Sequence, residues 1–434
     1  MQRIFEFFRV LGLTVFVLSA AIGFGVVAAV KGIFPAPQIR AILDDLERLS
    51  EWSGTHWAIV LPHEEGQYAV RAPEAASDGL VLITGITAEE TNLARIVDRD
   101  GRTIHEWDLD WTEVGPDPAY LPETLTPRGR LGGIIHGSQI LPDGSIMFNF
   151  SQRSTARVDI CGRPVWALEN FGHHFVVPAG DGTYWVGSEA DPLTRDMSRI
   201  PNHVDRVVDF TFQRVNVAGE ILEDHPLLDI LYQNDLLGLM FLANINNTTT
   251  LVGGDTMHMN DIDVFPEDMA PGVFAPGDLM MSLRNINTVI VVDPEDFRIK
   301  FRSTGPFLRQ HDPEFIDGNR ILVFDNRNLL PLPDPEPLRS RIVEIDARTG
   351  AWQEVYRGPD YFTEIVGKLA LMENGNALIA ISKQGQAMEI TPAGEIAWLY
   401  EHVLSAEHRG FVTDALPLPP EMDAAFFEAA KARC

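Results

Sequence analysis

The chain has 434 residues, and its 62 Asp and Glu against 34 Lys and Arg give a formal net charge of −28. A protein this acidic repels phosphate backbones, and no run of five basic residues offsets the charge, so the composition argues against a nucleic acid partner. The length fits one large repeat domain or two to three ordinary domains. The 35 Gly and 29 Pro are spread evenly, which is typical of many tight turns.

The N-terminal segment has the pattern of a membrane anchor. Residues Val10–Val30 are apolar or small without interruption, with Arg3 and Arg9 before them and Lys31 after them. That stretch is long enough to cross a hydrocarbon core of roughly 30 Å as a helix. Because Arg3 and Arg9 precede the apolar stretch, residues 1–32 are predicted to form a cytoplasmic stub and a transmembrane helix, and the rest of the chain is predicted to be exported. A cleaved signal peptide is the alternative, since small residues at Val27-Ala28-Ala29 offer a cleavage point.

Residues 33–77 are predicted to link the anchor to the body of the protein. Within them, Gln38–Trp52 has apolar residues at helical spacing, which indicates a short amphipathic helix beside the membrane.

The chain's two cysteines are Cys161 and Cys434. Export would permit a disulfide between them, but two cysteines this far apart leave the pairing open.

Six copies of one small unit follow. Each copy has a glycine turn, an apolar strand, a second strand, usually another glycine turn, and a third strand that often carries Trp. The leading turns are Asp78-Gly79, Asp143-Gly144, Asp181-Gly182, Gly277-Asp278, Asp317-Gly318 and Asn374-Gly375. Sheets this small are not stable alone, and radial closure protects their edges. The pattern therefore predicts an all-β, six-bladed β-propeller over residues 78–402, followed by a C-terminal extension with a short helix over 403–434.

Basic side chains recur at one position relative to these turns. His136 lies eight residues before Gly144, and His174 lies eight before Gly182. The corresponding residues of three later copies are His258, His311 and Lys368. In a propeller the innermost strands line the central channel, so residues at one register of successive blades converge on the axis. We expect these five side chains to ring the channel mouth, within reach of Arg284.

These residues have two other interpretations. Any one of these histidines alone could be structural, but four at a shared register favour a functional role. A metal site is a second alternative, in which His258 with Asp261 or Asp263, plus His311, would hold zinc or iron. No His-x-x-Glu or tight His/Cys spacing supports it, so no metal ligand is assigned. No phosphate loop, dinucleotide glycine motif or nucleophile elbow is present, and no cofactor is predicted.

A series of motifs runs over residues 132–398. In chain order, the motifs are Gly162–Trp166 followed by His173-His174, then His258-Met259-Asn260-Asp261-Ile262, Ser282-Leu283-Arg284, Gln310-His311-Asp312, Phe324-Asp325-Asn326 and the closing segment Leu371–Trp398. This series resembles the arylsulfotransferase family, whose members of this kind are six-bladed propellers of the bacterial periplasm. The resemblance implies transfer of a sulfuryl group from a phenolic sulfate ester to another phenol, without a nucleotide sulfate donor.

The resemblance also implies roles for particular residues. In the family the histidine of the Gln-His-Asp motif is transiently sulfated, which here is His311, and His258 and Arg284 would hold the sulfuryl oxygens. Together with the shared register, this predicts His311, His258, Arg284 and His174 as catalytic residues and His173, His136, Asn260 and Lys368 as substrate-binding residues. The predicted location is the inner membrane, with a single span and the main domain in the periplasm. A homo-oligomer or a membrane protein partner is left open.

This chemistry suits the residue types. A neutral imidazole is nucleophilic near pH 7 and becomes a good leaving group once sulfated, so one difficult transfer becomes two easier ones. Some positions depart from the family: Phe175 stands where the His-His-Asp motif has its acid, and Leu283 and Asp261 replace serines. A catalytically silent, membrane-anchored propeller that acts as a binding or assembly module is therefore the alternative function.

Overall fold

The computed structural model describes Phe24 and residues 69–190, 197–200, 203–242, 252–328, 339–405 and 408–434. Among these residues, no helix is long and apolar enough to cross a membrane. Apart from Phe24, the predicted anchor Val10–Val30 lies outside the described residues, as does the predicted helix Gln38–Trp52. The described strands all belong to one compact unit, Trp57–Cys434.

Strands dominate the described residues. In chain order they are β1 (Ala69–Arg71), β2 (Val81–Ile86), β3 (Asn92–Val97), β4 (Thr103–Leu109), β5 (Ile135–Ile140), β6 (Ile146–Phe150), β7 (Ser154–Val158), β8 (Pro164–Ala167), β9 (Val176–Pro178), β10 (Tyr184–Glu189), β11 (His203–Val207), β12 (Phe210–Val215), β13 (Ile221–Pro226), β14 (Val252–Gly254), β15 (Met259–Val264), β16 (Leu279–Leu283), β17 (Thr288–Val292), β18 (Ile299–Thr304), β19 (His311–Asp317), β20 (Arg320–Asp325), β21 (Arg341–Asp346), β22 (Trp352–Val355), β23 (Lys368–Leu371), β24 (Ala377–Ile381), β25 (Gln386–Ile390), β26 (Ile396–Glu401) and β27 (Val412–Pro417).

The helices are short. They are α1 (Trp111–Val114), α2 (Leu227–Gln233) and α3 (Ala424–Lys431), with 3-10 turns at Pro118–Tyr120, Met197–Arg199, Leu237–Phe241, Arg284–Ile286 and Ser382–Gln384. The α2 helix lies in the long segment between the third and fourth blades, and β11 and β14 form a separate two-stranded parallel pair. The gaps between repeats are thus insertions into the propeller.

Six antiparallel sheets of four or five strands confirm the six-bladed β-propeller. Their strand orders are β27-β2-β3-β4, β5-β6-β7-β8, β9-β10-β12-β13, β15-β16-β17-β18, β19-β20-β21-β22 and β23-β24-β25-β26-β1. The second strand of a blade is buried on both faces, because it packs between two neighbouring blades. All five residues of β6 and of β16 are buried, whereas the outer strand β18 alternates between half-buried and exposed residues.

The first blade is closed by the C-terminal part of the chain. Its inner strand is β27, which pairs antiparallel with β2 from Val81↔Pro417 to Gly85↔Val412. At the other edge of the sixth blade, β1 pairs with β26. The sequence placed the propeller at residues 78–402, whereas the structure extends it to include β1 and β27. This closure joins strands more than 300 residues apart, which no local pattern reveals.

The C-terminal residues are fixed to the first two blades. Met422 and Phe427 pack into the same core as Trp107 and Phe148. Cys161, in the turn between β7 and β8, forms a disulfide with Cys434. The pairing that the sequence left open is therefore present, and it holds the end of α3 against the second blade.

A buried ion pair joins the first and sixth blades. Glu389 accepts hydrogen bonds from Arg99 (2.9 Å), Asn376 (2.6 Å) and both the backbone N–H and hydroxyl of Ser77 (2.8 and 2.9 Å). Both charged side chains are almost wholly buried, and the Arg99 guanidinium lies 5.0 Å from the centre of the Trp398 ring. The pair forms only when the ring of blades is closed.

We expect Glu389→Ala to lower the free energy of unfolding by about 3–5 kcal/mol, because it leaves the Arg99 charge buried without a partner. Urea unfolding at pH 7 measures the change. The matched control is Arg102→Ala, which removes a cation whose side chain is 75% exposed and should cost less than about 1 kcal/mol. Equal effects of the two substitutions would contradict the prediction.

Stability should also depend on His402, which is buried beside the strand that closes the ring. Its Nε2–H donates to the carbonyl of Ile86 (3.0 Å), and burial lowers its pKa to about 4. Because the folded-state pKa lies below the ordinary value of 6.5, this residue contributes stability above pH 6.5 and loses it as the pH falls towards 4.

We therefore expect the wild type to lose more unfolding free energy between pH 7 and pH 5 than His402→Gln, by on the order of 2 kcal/mol. The amide of glutamine can keep the hydrogen bond but does not titrate. Urea unfolding of both proteins at the two pH values measures the difference. Parallel losses would show that His402 does not carry this pH dependence.

Candidate active site

The inner strands bring the predicted residues to one end of the channel. His136 lies on β5, His311 begins β19 and Lys368 begins β23, while His174 lies two residues before β9 and His258 one residue before β15. The side chains that line a common cavity include His136, His174, Asn260, His311, Asp312, Lys368 and Asp414. These residues come from all six blades, and four of them, His136, His174, His311 and Lys368, are at the register that the sequence indicated.

The backbone is strained at this level of the channel. His174, His258 and Asp312 have φ values of 57°, 49° and 45°, in the left-handed region that non-glycine residues seldom adopt. Gly137 has a φ of 88°, and a Cβ atom at this position would lie 2.1 Å from the carbonyl oxygen of His174. The close approach of blades two and three thus requires glycine beside His136. Strain of this kind is typical of functional sites.

Three histidines and an aspartate form a continuous hydrogen-bonded chain. His258 Nδ1 contacts the carboxylate of Asp255, His258 Nε2 lies 2.7 Å from His174 Nε2, and His174 Nδ1 lies 3.0 Å from His136 Nε2. A carboxylate only accepts hydrogen bonds, so His258 carries its proton on Nδ1. His174 must then donate from Nε2, and His136 from its own Nε2. The chain therefore has one direction, from His136 towards Asp255.

His311 stands apart from that chain and has its own supporting residue. Its Nδ1 lies 2.6 Å from Asn326 Oδ1, and the Asn326 amide nitrogen donates to the carbonyls of Thr363 (2.9 Å) and Val366 (2.6 Å). These two bonds fix the orientation of the amide, so Oδ1 must accept from His311 Nδ1–H. Nε2 is then the nitrogen with the lone pair, and it is buried without a hydrogen-bond partner. This is the tautomer and the orientation that a nucleophile needs.

Burial keeps the histidines neutral. It lowers the pKa of His136 to about 3, aided by the charge of Lys368. The pKa values of His173, His174 and His311 are also held well below the ordinary value of 6.5 by burial, and that of His258 is lowered too. The positive charge of Arg284 contributes to the lowering in all five histidines. The site therefore offers uncharged imidazoles near pH 7.

Two fixed cations accompany these imidazoles. Arg284 lies in the 3-10 turn after β16; its Nε donates to Asn285 Oδ1 (3.2 Å), and its backbone N–H donates to the carbonyl of His258 (2.9 Å). Lys368 contacts the Asp312 carboxylate and lies 3.4 Å from Asp261. The two carboxylates raise the pKa of Lys368 well above its ordinary value, so it stays charged.

The acidic residue Asp261 departs from the family motif, and its surroundings explain how the site tolerates it. Burial raises its pKa well above the ordinary value, and the Lys368 ammonium offsets part of that rise. Burial likewise raises the pKa of Asp263 to about 7 and that of Asp414 to about 6. Because the first cause is the loss of hydration, these carboxyl groups carry less negative charge at neutral pH than exposed ones would.

Some predicted residues make contacts that differ from their predicted roles. Both nitrogens of His258 are occupied, by Asp255 and His174, so neither points free at a substrate oxygen. His173 lies behind His174, with their ring centres 3.9 Å apart, and its Nε2 lies 3.4 Å from the Glu189 carboxylate. The amide nitrogen of Asn260 donates to the carbonyl of Gln310 (2.8 Å), which leaves its buried Oδ1 without a partner.

Sequence reasoning missed four residues that build the site: Asp255, Asp312, Asn326 and Asp414. Asn326 belongs to the motif Phe324-Asp325-Asn326 and Asp312 to the motif Gln310-His311-Asp312, but neither motif indicates which side chains these residues contact. Asp414 lies on β27, the inner strand of the first blade, and accepts a hydrogen bond from Ser138 (2.7 Å). Only three strands of the first blade, β2, β3 and β4, follow one another along the chain. The absence of an inner strand before β2 was the signal that could have pointed to a strand near the C-terminus.

Three histidine nitrogens lie near one another, but they are not the predicted metal site. Among the described residues, one ring nitrogen each from His136, His173 and His174 lie within 4.8 Å of one another. The alternative that the sequence raised, His258 with Asp261 or Asp263 and His311, is not such a group. His258 uses its nitrogens for Asp255 and His174, and Asp261 contacts Lys368.

This geometry defines a class of protein, the six-bladed propeller with histidines and an arginine at one end of its channel. The family model described as arylsulfotransferase (ASST) matches residues 137–402, more than half of the chain. The chain belongs to the arylsulfotransferase family, which confirms the resemblance that the sequence motifs indicated.

Other comparisons give distant likenesses. No curated protein matches the chain significantly. A protein of unknown function from Bacteroides caccae is 14% identical with a TM-score of 0.47, over 79% of this chain and 99% of that one. The Pan2 WD40 domain of Neurospora crassa is 12% identical with a TM-score of 0.38, over 76% of this chain and 86% of that one.

Proposed function

We propose that this protein transfers a sulfuryl group from a phenolic sulfate ester to a phenolic acceptor, with His311 as the nucleophile. The observation that carries the proposal is His311 Nε2: a buried lone pair without a hydrogen-bond partner, in the cavity wall, held by Asn326 through the opposite nitrogen. Family membership supports the reaction class, and the lowered pKa keeps this nitrogen unprotonated at neutral pH.

The reaction has two half-steps. His311 Nε2 attacks the sulfur of the donor ester, the sulfur–oxygen bond to the aryl group breaks, and the electron pair leaves with the phenolate, which takes up a proton. The sulfuryl group is then carried on His311. In the second half-step the acceptor phenol loses its proton as its oxygen attacks the sulfur, and the sulfur–nitrogen bond returns its electron pair to Nε2.

The negative charge that develops in the transition state determines where the protein needs cations and hydrogen-bond donors. The transferring group spreads negative charge over its oxygens, as in phosphoryl transfer, so placed cations and donors supply most of the rate enhancement. Arg284 serves this role best, because its planar fork of donors cannot lose its proton. Lys368 lines the cavity with His311 but is paired with Asp312 and Asp261. The departing phenolate takes up its proton from solvent, because His136 and His174 are neutral near pH 7 and each already donates its N–H along the histidine chain.

The rival function, a silent propeller that acts as a binding or assembly module, draws support from Asp261 and Asp312. These two carboxyl groups offset Lys368, and the Asp255 carboxylate lies 4.0 Å from Arg284, so both cations of the site have acidic neighbours. Incubation of the purified protein with a chromogenic aryl sulfate separates the two functions. Phenol release that accelerates on addition of an acceptor phenol, with formation of the new sulfate ester, supports transfer. No release above the rate in buffer would favour the silent module.

We also propose that residues 10–30 anchor the protein in the inner membrane with the propeller in the periplasm. The disulfide between Cys161 and Cys434 supports this location, because such bonds persist in oxidising compartments. Separation of membrane and soluble fractions, with N-terminal sequencing of the mature chain, tests the proposal. A soluble protein that begins near Val30 would indicate a cleaved signal peptide instead.

A further inference from the structure

The segment that leads into β19 carries an arginine that has no part in the two half-steps described above. Arg309 stands two residues before His311 in the chain, and its side chain is exposed. Its φ is 57°, in the left-handed region that arginine seldom adopts, and its backbone N–H donates to Asn287 Oδ1 (2.9 Å). Strain of this kind persists only where the surroundings hold the residue in place, and it is typical of functional sites.

Asn285 holds this arginine beside Arg284. The Asn285 amide nitrogen donates to the backbone carbonyl of Asp255 (2.5 Å), which fixes the orientation of the amide. Its Oδ1 therefore accepts hydrogen bonds from Arg284 Nε (3.2 Å) and from Arg309 Nη1 (2.8 Å). Because one oxygen receives both donors, two guanidinium groups lie side by side at this end of the channel. Like charges held this close repel each other, and an anion that binds to both relieves the repulsion.

Arg309 differs from the other cations of the site in its neighbours. Lys368 has a carboxylate at 3.4 Å, and Arg284 has one at 4.0 Å. Within the described part of the chain, Arg309 forms no ion pair, and its hydrogen bonds go to two asparagines. Burial and the charge of Arg284 are the main causes that lower the pKa of His258, and the charge of Arg309 lowers it further. The field of this guanidinium therefore reaches the histidines of the site.

We propose that Arg309 is the residue that first binds the sulfate group of the donor ester, before the ester reaches Arg284 and His311. This inference rests on the proposed function. A protein with a net charge of −28 repels anions at long range, so an anionic substrate needs a local positive charge at the entrance. A guanidinium presents a planar fork of donors that matches the oxygens of a sulfate group, and exposure lets Arg309 meet the donor in solution. Asn285 keeps Arg284 beside it, so the ester passes inward from one guanidinium to the next.

The kinetic test compares Arg309→Gln with the wild type for an aryl sulfate donor and a phenol. Because the sulfate group is bound before the reaction begins, loss of Arg309 should raise KM for the donor and leave kcat within about twofold. We expect kcat/KM to fall about 10-fold and to depend less on salt concentration, because a screened attraction has been removed. Arg309→Lys keeps the charge without the fork, so it should keep the salt dependence and have an intermediate kcat/KM.

The matched control is Arg302→Gln, which removes an exposed arginine from the outer strand β18 and changes the net charge equally. It should leave KM and the salt dependence unchanged, and all variants should unfold near the wild-type midpoint. Equal KM and equal salt dependence in Arg309→Gln and the wild type would overturn the inference. A fall in kcat with KM unchanged would also overturn it, because the arginine would then act only in the transition state.

A binding experiment separates this inference from the proposed function. The His311→Ala protein lacks the proposed nucleophile, so calorimetry with an aryl sulfate measures the affinity of the site without reaction. Addition of Arg309→Gln to this background should weaken binding about 10-fold, whereas addition of Arg302→Gln should not weaken it. Binding that depends on Arg309, in a protein whose wild type transfers no sulfuryl group, would uphold the role of Arg309 and refute the proposed function. Equal affinity with and without Arg309, or no binding to His311→Ala, would refute the role of Arg309.

Discussion

Replacement of His311 by alanine is expected to abolish sulfuryl transfer, lowering the rate by on the order of 10⁴-fold or more. Loss of a covalent nucleophile removes both half-steps at once, and what remains comes only from binding and charge stabilisation. Initial rates with an aryl sulfate and a phenol, compared with the wild type, measure the loss. The matched control is His402→Gln, which alters another buried histidine outside the cavity and should leave the transfer rate near normal.

A trapping experiment identifies the residue directly. With the donor ester and no acceptor, the wild type should accumulate a sulfuryl adduct, seen by mass spectrometry as the mass of one sulfuryl group on the peptide that contains His311. His311→Ala should show no adduct, while its thermal unfolding should show that it is folded. Near-normal transfer by a folded His311→Ala protein would refute the nucleophile. An adduct on His258 or His174 instead would keep the mechanism and move the nucleophile.

Replacement of Arg284 by alanine should lower transfer by about 10²- to 10³-fold, the usual cost of one charge-stabilising donor. Arg284→Lys keeps a positive charge but loses the planar fork, so its rate should lie between those of the wild type and Arg284→Ala. Rates measured with a saturating donor, together with the rate of adduct formation on His311, separate loss of binding from loss of transition-state stabilisation. Rates equal to the wild type in both variants would remove Arg284 from the mechanism.

The pH profile of Arg284→Ala gives an independent readout. Burial lowers the pKa of His311 and the charge of Arg284 lowers it further, and the nucleophile must be unprotonated to react. In the wild type, activity should therefore persist as the pH falls below 6.5. Without the arginine charge the pKa of His311 rises, so the acid limb of the profile should move to higher pH. An acid limb at the same pH in both proteins would mean that a different group controls it.

The sequence by itself determined the blades and the level of the site. A glycine turn followed by an apolar strand is a local signal, and its repetition revealed six units. The spacing between a turn and the preceding histidine is also local, so His136, His174, His258 and His311 could be assigned to inner strands. Inner strands of successive blades converge on one axis for geometric reasons, which is why these side chains meet.

Only the tertiary structure decided how those side chains are connected. Asn326 fixes the tautomer of His311 from the position directly after β20 of the same blade, whereas Lys368 contacts carboxylates on two other blades. Asp414 enters the cavity from β27, which closes the first blade from the far end of the chain. Hydrogen-bond partners and burial depend on this closure, and they set which nitrogen carries a proton and which group carries a charge. These long-range contacts, unlike the turns and strands, leave no periodic pattern in the sequence.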